Sequence, residues 1–236
     1  MSWKKEISQI KLREKLAKQQ GGSEAVKVQH DKGRLTLRER IDLLLDKDSF
    51  DEIGKVAGGA EYDDEGNLLS LTPANFILGF GKIEGQDVIV GGEDFTVKGG
   101  SPNAAGLRKS VYTEDLAVKH KFPLVRLHEG GGGSVAGPSK EKKGYGGDPV
   151  FARSRFKSVA QTLKEVPVVS AALGPVAGLP ASRFVGSHFR IMVKDNAQIL
   201  VAGPAVVSRA FGKDFTKEEL GGSDIHKKNG VTDNIA

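Results

Sequence analysis

Two short apolar runs in this chain break into glycine and then into a helical pattern, which suggests chemistry carried out by backbone amides. Residues 124–129 are followed by four glycines at 130–133, and residues 168–173 are followed by Gly-Pro-Val-Ala-Gly at 174–178. Glycine after a strand lets N–H groups approach a ligand with no Cβ in the way. A helix start just beyond supplies further unpaired donors. Such a joint suits a phosphate or a developing oxyanion.

The glycine runs do not complete a nucleotide-binding motif. Gly132, Gly137 and Ser139 have the spacing of G-x-x-x-x-G-K-[ST], but Pro138 occupies the position of the lysine that contacts the β- and γ-phosphates. Gly-Phe-Gly at 79–81 lacks the third glycine of the dinucleotide fingerprint and falls within a predicted hairpin. These patterns argue against a Walker nucleotidase and against a Rossmann dehydrogenase.

Side-chain catalysis finds less support than backbone chemistry. His128 stands beside Glu129 with Ser134 nearby, but the chain has no G-x-S-x-G elbow. We expect His128, at a strand end, to be structural. The five histidines show no metal-ligand spacing, so no metal site is predicted. With no cysteine, thiol nucleophiles, disulfides and Cys-ligated zinc are excluded.

Composition describes an ordinary globular protein and narrows its partners. The 236 residues are 38% hydrophobic and 28% charged, with a net charge of +5. Aromatic residues make up 6% and do not interleave with the basic ones, so no nucleic-acid partner is predicted. An anionic small ligand or a solvated basic helix explains the charge better. No apolar stretch is long enough to span a membrane, and the first twenty residues are too charged for a secretory signal.

Helices and strands that could position the glycine joints are predicted along the whole chain. A loose apolar stripe predicts a helix over about 3–19, packed on its own domain or on another subunit. Thr36 and Glu39 match a capping box that begins a second helix. Strands at 76–83 and 87–90 form a predicted hairpin.

Beyond the hairpin, predicted strands alternate with predicted helices. The strands are placed at 95–97, 123–127, 167–172, 190–193 and 199–201, and the helices at 103–120, 149–164 and 181–189. This alternation predicts an α/β sheet with right-handed crossovers.

Four stretches resemble the motifs of one family, in that family's order. Residues 33–46 are similar to G-K-x-T-A-R-E-R-I-x-x-L-x-D, and residues 94–101 to D-F-T-V-x-G-G-S. Residues 174–178 match G-P-x-A-G-G-A up to its first paired glycine, and residues 220–231 resemble L-G-G-x-x-x-H-x-x-x-S-G-V. The family is the carboxyltransferase (β) subunit of biotin-dependent acyl-CoA carboxylases such as propionyl-CoA carboxylase, and the chain resembles its N-terminal half.

The resemblance implies a fold and a domain division. The fold is an α/β crotonase-like (ClpP/crotonase) ββα superhelix with an N-terminal helical arm. We expect residues 1–236 to form the N-terminal carboxyltransferase domain, with the arm at 1–46 and the core at 47–236. The expected domain does not include the family's C-terminal half, so the chain is interpreted as half of a longer subunit.

The resemblance also implies where an acyl-CoA thioester binds. The family's oxyanion hole corresponds to the backbone N–H groups of Gly178 and Leu179, with Ala177 just before them as a substrate-binding residue. Leu179 replaces the second glycine of the family motif, and Pro180 replaces its alanine.

The tetraglycine segment is expected to line the CoA or acyl channel through Gly131, Gly132 and Gly133. It aligns with the family's D-S-G-G-A-R segment, whose arginine is replaced by Ser134.

The activity implied is transfer of CO₂ from carboxybiotin to the α-carbon of an acyl-CoA through an enolate. Implied partners are a biotin carboxylase or biotin carrier subunit, a C-terminal carboxyltransferase domain and further copies of the full-length subunit. The isolated chain is expected to be incomplete and inactive alone. Two alternatives remain: a biotin-dependent acyl-CoA decarboxylase subunit and a non-catalytic crotonase-like scaffold. The expected location is the cytoplasm, or the mitochondrial matrix if the source is eukaryotic.

Overall fold

The computed structural model describes residues 3–132 and 154–236 of the chain. The helices are α1 (Lys4–Ala17), α2 (Ser23–Asp31), α3 (Leu37–Leu44), α4 (Ala104–His120), α5 (Arg155–Glu165), α6 (Leu179–Val185), α7 (Pro204–Phe211), α8 (Lys217–Gly221) and α9 (Ser223–Lys228). The strands are β1 (Asp51–Glu52), β2 (Gly58–Tyr62), β3 (Leu68–Pro73), β4 (Phe76–Ile83), β5 (Gln86–Glu93), β6 (Leu124–Gly130), β7 (Val168–Ala177), β8 (Phe189–Met192), β9 (Gln198–Leu200) and β10 (Asn234–Ile235). From β5 to β8 helices and strands alternate, as predicted for an α/β protein.

The main sheet joins its strands in the order β1-β4-β5-β6-β7-β8-β10, and β9 pairs with the distal half of β7. β4 and β5 form the predicted hairpin, and its turn residues Glu84 and Gly85 have positive φ of 50° and 78°. Positive φ at both turn positions matches a type I′ turn, whose twist suits a two-residue hairpin. From β5 to β8 the neighbours are parallel, so helices α4, α5 and α6 connect successive strands.

Both faces of the sheet are covered by helices. Neighbouring residues of a strand point to opposite faces, so each face has its own packing partner. In β5, Ile89 packs with Leu116 of α4, while Val90 packs with Ile41 of α3. Ile89 and Val90 are both fully buried. Helix α4 therefore covers one face and the N-terminal helix α3 covers the other.

The N-terminal helices follow the prediction with one addition. α1 confirms the helix expected over 3–19. The capping box is also confirmed: Thr36 Oγ1 accepts from the Glu39 N–H at 3.4 Å, and Glu39 Oε2 accepts from the Thr36 N–H at 2.7 Å. Helix α2 was not predicted. It follows Gly22, whose φ is 93°, and no side chain caps it, so it has little local sequence signal.

The prediction that the strand near 167 ends at residue 172 is wrong, because β7 continues to Ala177. Gly174 lies inside the strand, and glycine is required there because a Cβ would stand 2.5 Å from Glu129 Oε1. Pro175 is tolerated because it lies opposite an irregularity in the β6–β7 register, where a missing N–H breaks no regular ladder bond. The joint between strand and helix is therefore at Gly178, four residues later than the first glycine of the run.

Two further predicted elements are corrected. The helix expected over 181–189 is α6, which already begins at Leu179, with Pro180 in its first turn where proline's missing N–H costs nothing. Phe189 instead begins β8. Residues 95–97 form a turn and not a strand: the Asp94 carboxylate accepts hydrogen bonds from the N–H and hydroxyl of Thr96, which bends the chain away from β5.

Candidate functional site

The candidate site is the joint between β7 and α6. Gly178 has φ 68° and ψ −131°, a conformation that residues with a Cβ rarely adopt. Its carbonyl oxygen accepts from the Ser182 N–H at 3.0 Å and from the Ser182 hydroxyl at 3.3 Å. In a trans peptide the C=O and N–H point in opposite directions. Because the Gly178 carbonyl is directed into α6, the Leu179 N–H is directed away from the helix.

The residues of this joint are partly open to solvent. Ala177, Gly178 and Leu179 are each partly exposed, whereas Pro180 behind them is buried. The first N–H groups of a helix have no intrahelical acceptor. The two predicted donors, Gly178 N and Leu179 N, therefore belong to consecutive residues of a half-open joint.

The predicted channel glycines come to the same place. Gly131 donates its N–H to the Gly99 carbonyl at 3.1 Å. A Cβ on Gly132 would stand 3.2 Å from the Gly178 Cα and 3.4 Å from the Ala177 carbonyl oxygen. The structure thus brings Gly131 and Gly132 to the joint at Gly178. Gly133 lies outside the described residues.

A third glycine segment packs against the start of the tetraglycine run. This segment has no site role in the sequence prediction. A 3-10 turn spans Lys98–Gly100 within the D-F-T-V-K-G-G-S motif. Gly100 has φ 67°, and a Cβ there would stand 2.6 Å from the Gly130 Cα. The motif itself could have suggested the contact, because paired glycines often mark a close approach of two backbones.

Beneath the joint, Glu129 fastens the N-terminal helices to the end of β6. It is 1% exposed, pairs with the Arg40 Nη1 charge at 2.6 Å, and accepts hydrogen bonds from Gln29 Nε2 at 2.8 Å and Arg34 Nη1 at 3.3 Å. With both oxygens engaged, this carboxylate is occupied by structural contacts. It is not available as a general base.

His128 is also structural, as the sequence predicts. It is 1% exposed, and its Nδ1 lies 3.0 Å from Glu93 Oε2. Burial by itself raises the pKa of the Glu93 carboxyl, but the charges of His128 and Arg183 together with the His128 hydrogen bond bring that pKa below its usual value. Glu93 is therefore a paired anion below the site.

Residues 3–132 and 154–236 hold no group of three or more histidine, aspartate or glutamate side chains that could bind a metal ion. Within the same ranges no helix combines the length and apolarity needed to cross a bilayer.

Sequence comparison relates most of the chain to one family. The family model described as the carboxyl transferase domain matches residues 28–236. The chain is 34% identical over 230 residues to the propionyl-CoA carboxylase beta chain of Roseobacter denitrificans, covering 96% of this chain and 43% of that protein. It is 32% identical over 217 residues to the methylmalonyl-CoA decarboxylase subunit alpha of Veillonella parvula, covering 91% and 41% respectively.

Comparison of structures gives the same result. A solved transcarboxylase 12S, a hexamer with methylmalonyl-coenzyme A and methylmalonic acid bound, superposes with a TM-score of 0.77 at 26% identity. The match covers 100% of this chain and 45% of that chain. The predicted crotonase-like α/β fold is confirmed. The chain spans less than half the length of the relatives it matches.

Proposed function

Because the chain belongs to the carboxyl transferase domain family, we propose that it is the acyl-CoA-binding part of a biotin-dependent carboxyltransferase. The observation that carries the proposal is the Gly178–Leu179 peptide, whose carbonyl accepts a hydrogen bond within α6 so that the Leu179 N–H is directed away from the helix. Two adjacent backbone donors can hold the thioester oxygen of an acyl-CoA. We assign Ala177, Gly131, Gly132 and Gly133 to the wall around that oxygen.

The chemistry follows from where charge develops. When the α-carbon of an acyl-CoA becomes nucleophilic, negative charge accumulates on the thioester oxygen as an enolate. Donors already aimed at that oxygen stabilise the enolate more than the neutral thioester, and loss of one such donor costs about 2.7–4 kcal/mol in comparable sites. Backbone donors need no reorganisation during the reaction, which suits a site made of glycine joints.

Carboxybiotin, carried by a partner subunit or domain, supplies the CO₂ in the proposed reaction. We assign no described residue to biotin, because the amides of Gly178 and Leu179 are assigned to the thioester. The resemblance attributes the biotin-side donors to a C-terminal carboxyltransferase domain. That domain, a biotin carboxylase or carrier subunit and further copies of the full-length subunit are the proposed partners. The cytoplasm, or the mitochondrial matrix in a eukaryote, is the proposed location.

The test compares binding of an acyl-CoA with binding of the matching S-alkyl-CoA thioether by calorimetry. The thioether lacks the carbonyl oxygen, so the ratio of the two affinities isolates the contact with the donor pair. A net hydrogen bond is worth about 0.5–1.5 kcal/mol, which predicts that the acyl-CoA binds up to about tenfold more tightly. Failure of the chain to bind either CoA ligand, or equal affinities, would contradict the proposal.

Leu179→Pro sharpens this test, since it removes one donor while keeping the backbone. Proline is favoured at the first position of a helix, so α6 can still form. The affinity ratio should fall towards one, whereas Leu179→Gly, which retains the N–H, should preserve it. Retention of the ratio in Leu179→Pro would exclude Leu179 as a donor.

A second candidate function is favoured by the similarity to the decarboxylase subunit alpha, whose identity is almost as high. A decarboxylase would use the same donors to stabilise the enolate left by loss of CO₂. Assaying the reassembled complex in both directions separates the two activities. A folded Leu179→Pro complex with unchanged turnover in both directions would instead favour the scaffold role.

A further inference from the structure

Helix α6 is held from below by a buried arginine. Arg183 is 3% exposed, and its Nε donates to Glu114 Oε1 at 2.8 Å while its Nη1 donates to Ser110 Oγ at 3.0 Å. Both acceptors belong to α4, so the guanidinium joins the two helices at two points. A planar guanidinium with two bonds fixes orientation as well as distance.

A second arginine completes the attachment. Arg126 of β6 donates to the same Glu114 Oε1 at 2.7 Å and, through Nη1, approaches the Arg183 carbonyl oxygen at 3.4 Å. Ser187 also donates to that carbonyl, at 2.8 Å. The side chain and the main chain of Arg183 are therefore both held, by α4, by β6 and by the segment after α6.

The same polar network reaches the start of the tetraglycine segment at Gly130. Ser187 Oγ lies 2.7 Å from Ser170 Oγ, which lies 3.4 Å from His128 Nε2. His128 Nδ1 bonds Glu93, whose Cγ would be 3.0 Å from a Cβ on Gly130. One buried chain of contacts thus connects α6 with the end of β6.

Such a network contributes more to geometry than to stability. Buried ion pairs are often no more stabilising than apolar side chains of the same volume, because desolvation offsets the attraction. Glu114 Oε2 and Arg183 Nη2 are buried without a hydrogen-bond partner, so part of that cost is uncompensated. What the network provides is a fixed position for α6. Arg183 lies four residues after Leu179, one turn below it on the same side of α6.

We propose that Arg183, held by Glu114, is a positioning residue that sets the placement of α6 and thereby aims the N–H groups of Gly178 and Leu179 at the thioester oxygen. This inference rests on the proposed function. It predicts that loss of the two hydrogen bonds from Arg183 to α4 turns the donors away from the thioester oxygen. The protein surface that contacts the rest of the CoA molecule should stay intact.

The test uses Arg183→Lys, which keeps the charge but cannot reproduce the fork, and Arg183→Met, which leaves Glu114 paired with Arg126. Both should fold, as judged by circular dichroism. Each should bind the S-alkyl-CoA thioether like wild type, while its preference for the acyl-CoA falls severalfold towards one. Isotope-edited infrared spectra of the bound thioester should show the carbonyl band returning towards its frequency in free acyl-CoA. Arg13→Lys, at a half-buried arginine of α1 that contacts Tyr62, is the control and should change neither readout.

The outcomes separate the two proposals. If wild type prefers the acyl-CoA and the folded Arg183 variants keep both the preference and the band position, the positioning role is wrong and the proposed function stands. If wild type shows no preference, both fall. Should the single variants not fold, the triple variant Glu114→Met, Arg126→Leu, Arg183→Met replaces the ion network with apolar volume. A folded triple variant that keeps the wild-type preference would also overturn the positioning role, whereas loss of the preference would support it.

Discussion

Gly132 and Gly178 face each other so closely that a Cβ on Gly178 would stand 2.9 Å from the Gly132 Cα. Each glycine belongs to one of the two joints that follow an apolar run in the sequence. The contact brings the two joints together, with Gly178 on one side and Gly132 on the other. Substitutions at this contact are therefore informative.

Gly178→Ala should lower the free energy of unfolding and abolish the preference for the acyl-CoA over the S-alkyl-CoA thioether. The positive φ costs about 1–3 kcal/mol for a residue with a Cβ, and the new methyl group would press on the Gly132 backbone. Denaturant unfolding and the affinity ratio measure the two effects. Gly212→Ala is the matched control: its φ is 70° but nothing lies within 4 Å of its Cβ position. It should lose about 1–2 kcal/mol and keep the ratio. A stable Gly178→Ala protein with wild-type preference would contradict the close-contact account.

Glu129→Gln should destabilise the protein by about 3–5 kcal/mol, because it leaves the charges of Arg34 and Arg40 without their buried counter-ion. Urea unfolding at neutral pH provides the measurement. Glu165→Gln, at the exposed pair with Lys121, is the control and should change little. Equal effects of the two substitutions would show that Glu129 does not fasten the arm. The division into an arm at 1–46 and a core at 47–236 stays a prediction.

Because the ammonium group of Lys109 is buried, we expect the protein to become more stable at alkaline pH. Burial lowers the pKa of its ammonium from 10.5 to about 8, while the Glu52 charge opposes the shift. Between these values the unfolded chain binds the proton that the folded chain has released, so stability rises with pH across about 8–10.5. At about 1.36 kcal/mol per pKa unit, the limit of this gain is about 3 kcal/mol.

Lys109→Met should remove that rise, as measured by urea unfolding at pH 7.5, 9 and 10. Comparison with the variant is necessary because other lysines and tyrosines also titrate in this interval. Lys82→Met, at a half-exposed pair with Asp87, controls for loss of a lysine elsewhere. A Lys109→Met protein whose stability follows the same pH curve as wild type would refute the buried-amine account.

Thr36→Ala should cost about 1 kcal/mol by removing the cap of α3. For a chain of this length such a loss lowers the melting temperature by roughly 2–4 °C. Thr216→Ala removes the same kind of capping box from the more exposed helix α8 and should cost less, since Thr36 is 2% exposed. A larger effect at Thr216 would show that burial of α3 does not depend on its cap.

Local rules allowed several elements to be predicted from sequence. The capping box of Thr36 and Glu39 and the turn at Glu84 and Gly85 each depend on a few neighbouring residues. Their hydrogen bonds and dihedral preferences are local, so the sequence pattern is sufficient. The resemblance to a known family then indicated the fold and the amides of Gly178 and Leu179.

The tertiary structure decided what those neighbours could not specify. The need for glycine at position 174 inside β7 comes from a carboxylate of another strand, and the meeting of Gly132 with Gly178 depends on how β6 and β7 end. Arg183 lies in a short helix without a periodic pattern, and its partners are remote in sequence. Sequence alone therefore identified residues able to supply backbone donors. Only the packing of distant segments decided that the two glycine joints meet and that a buried arginine holds the helix that follows one of them.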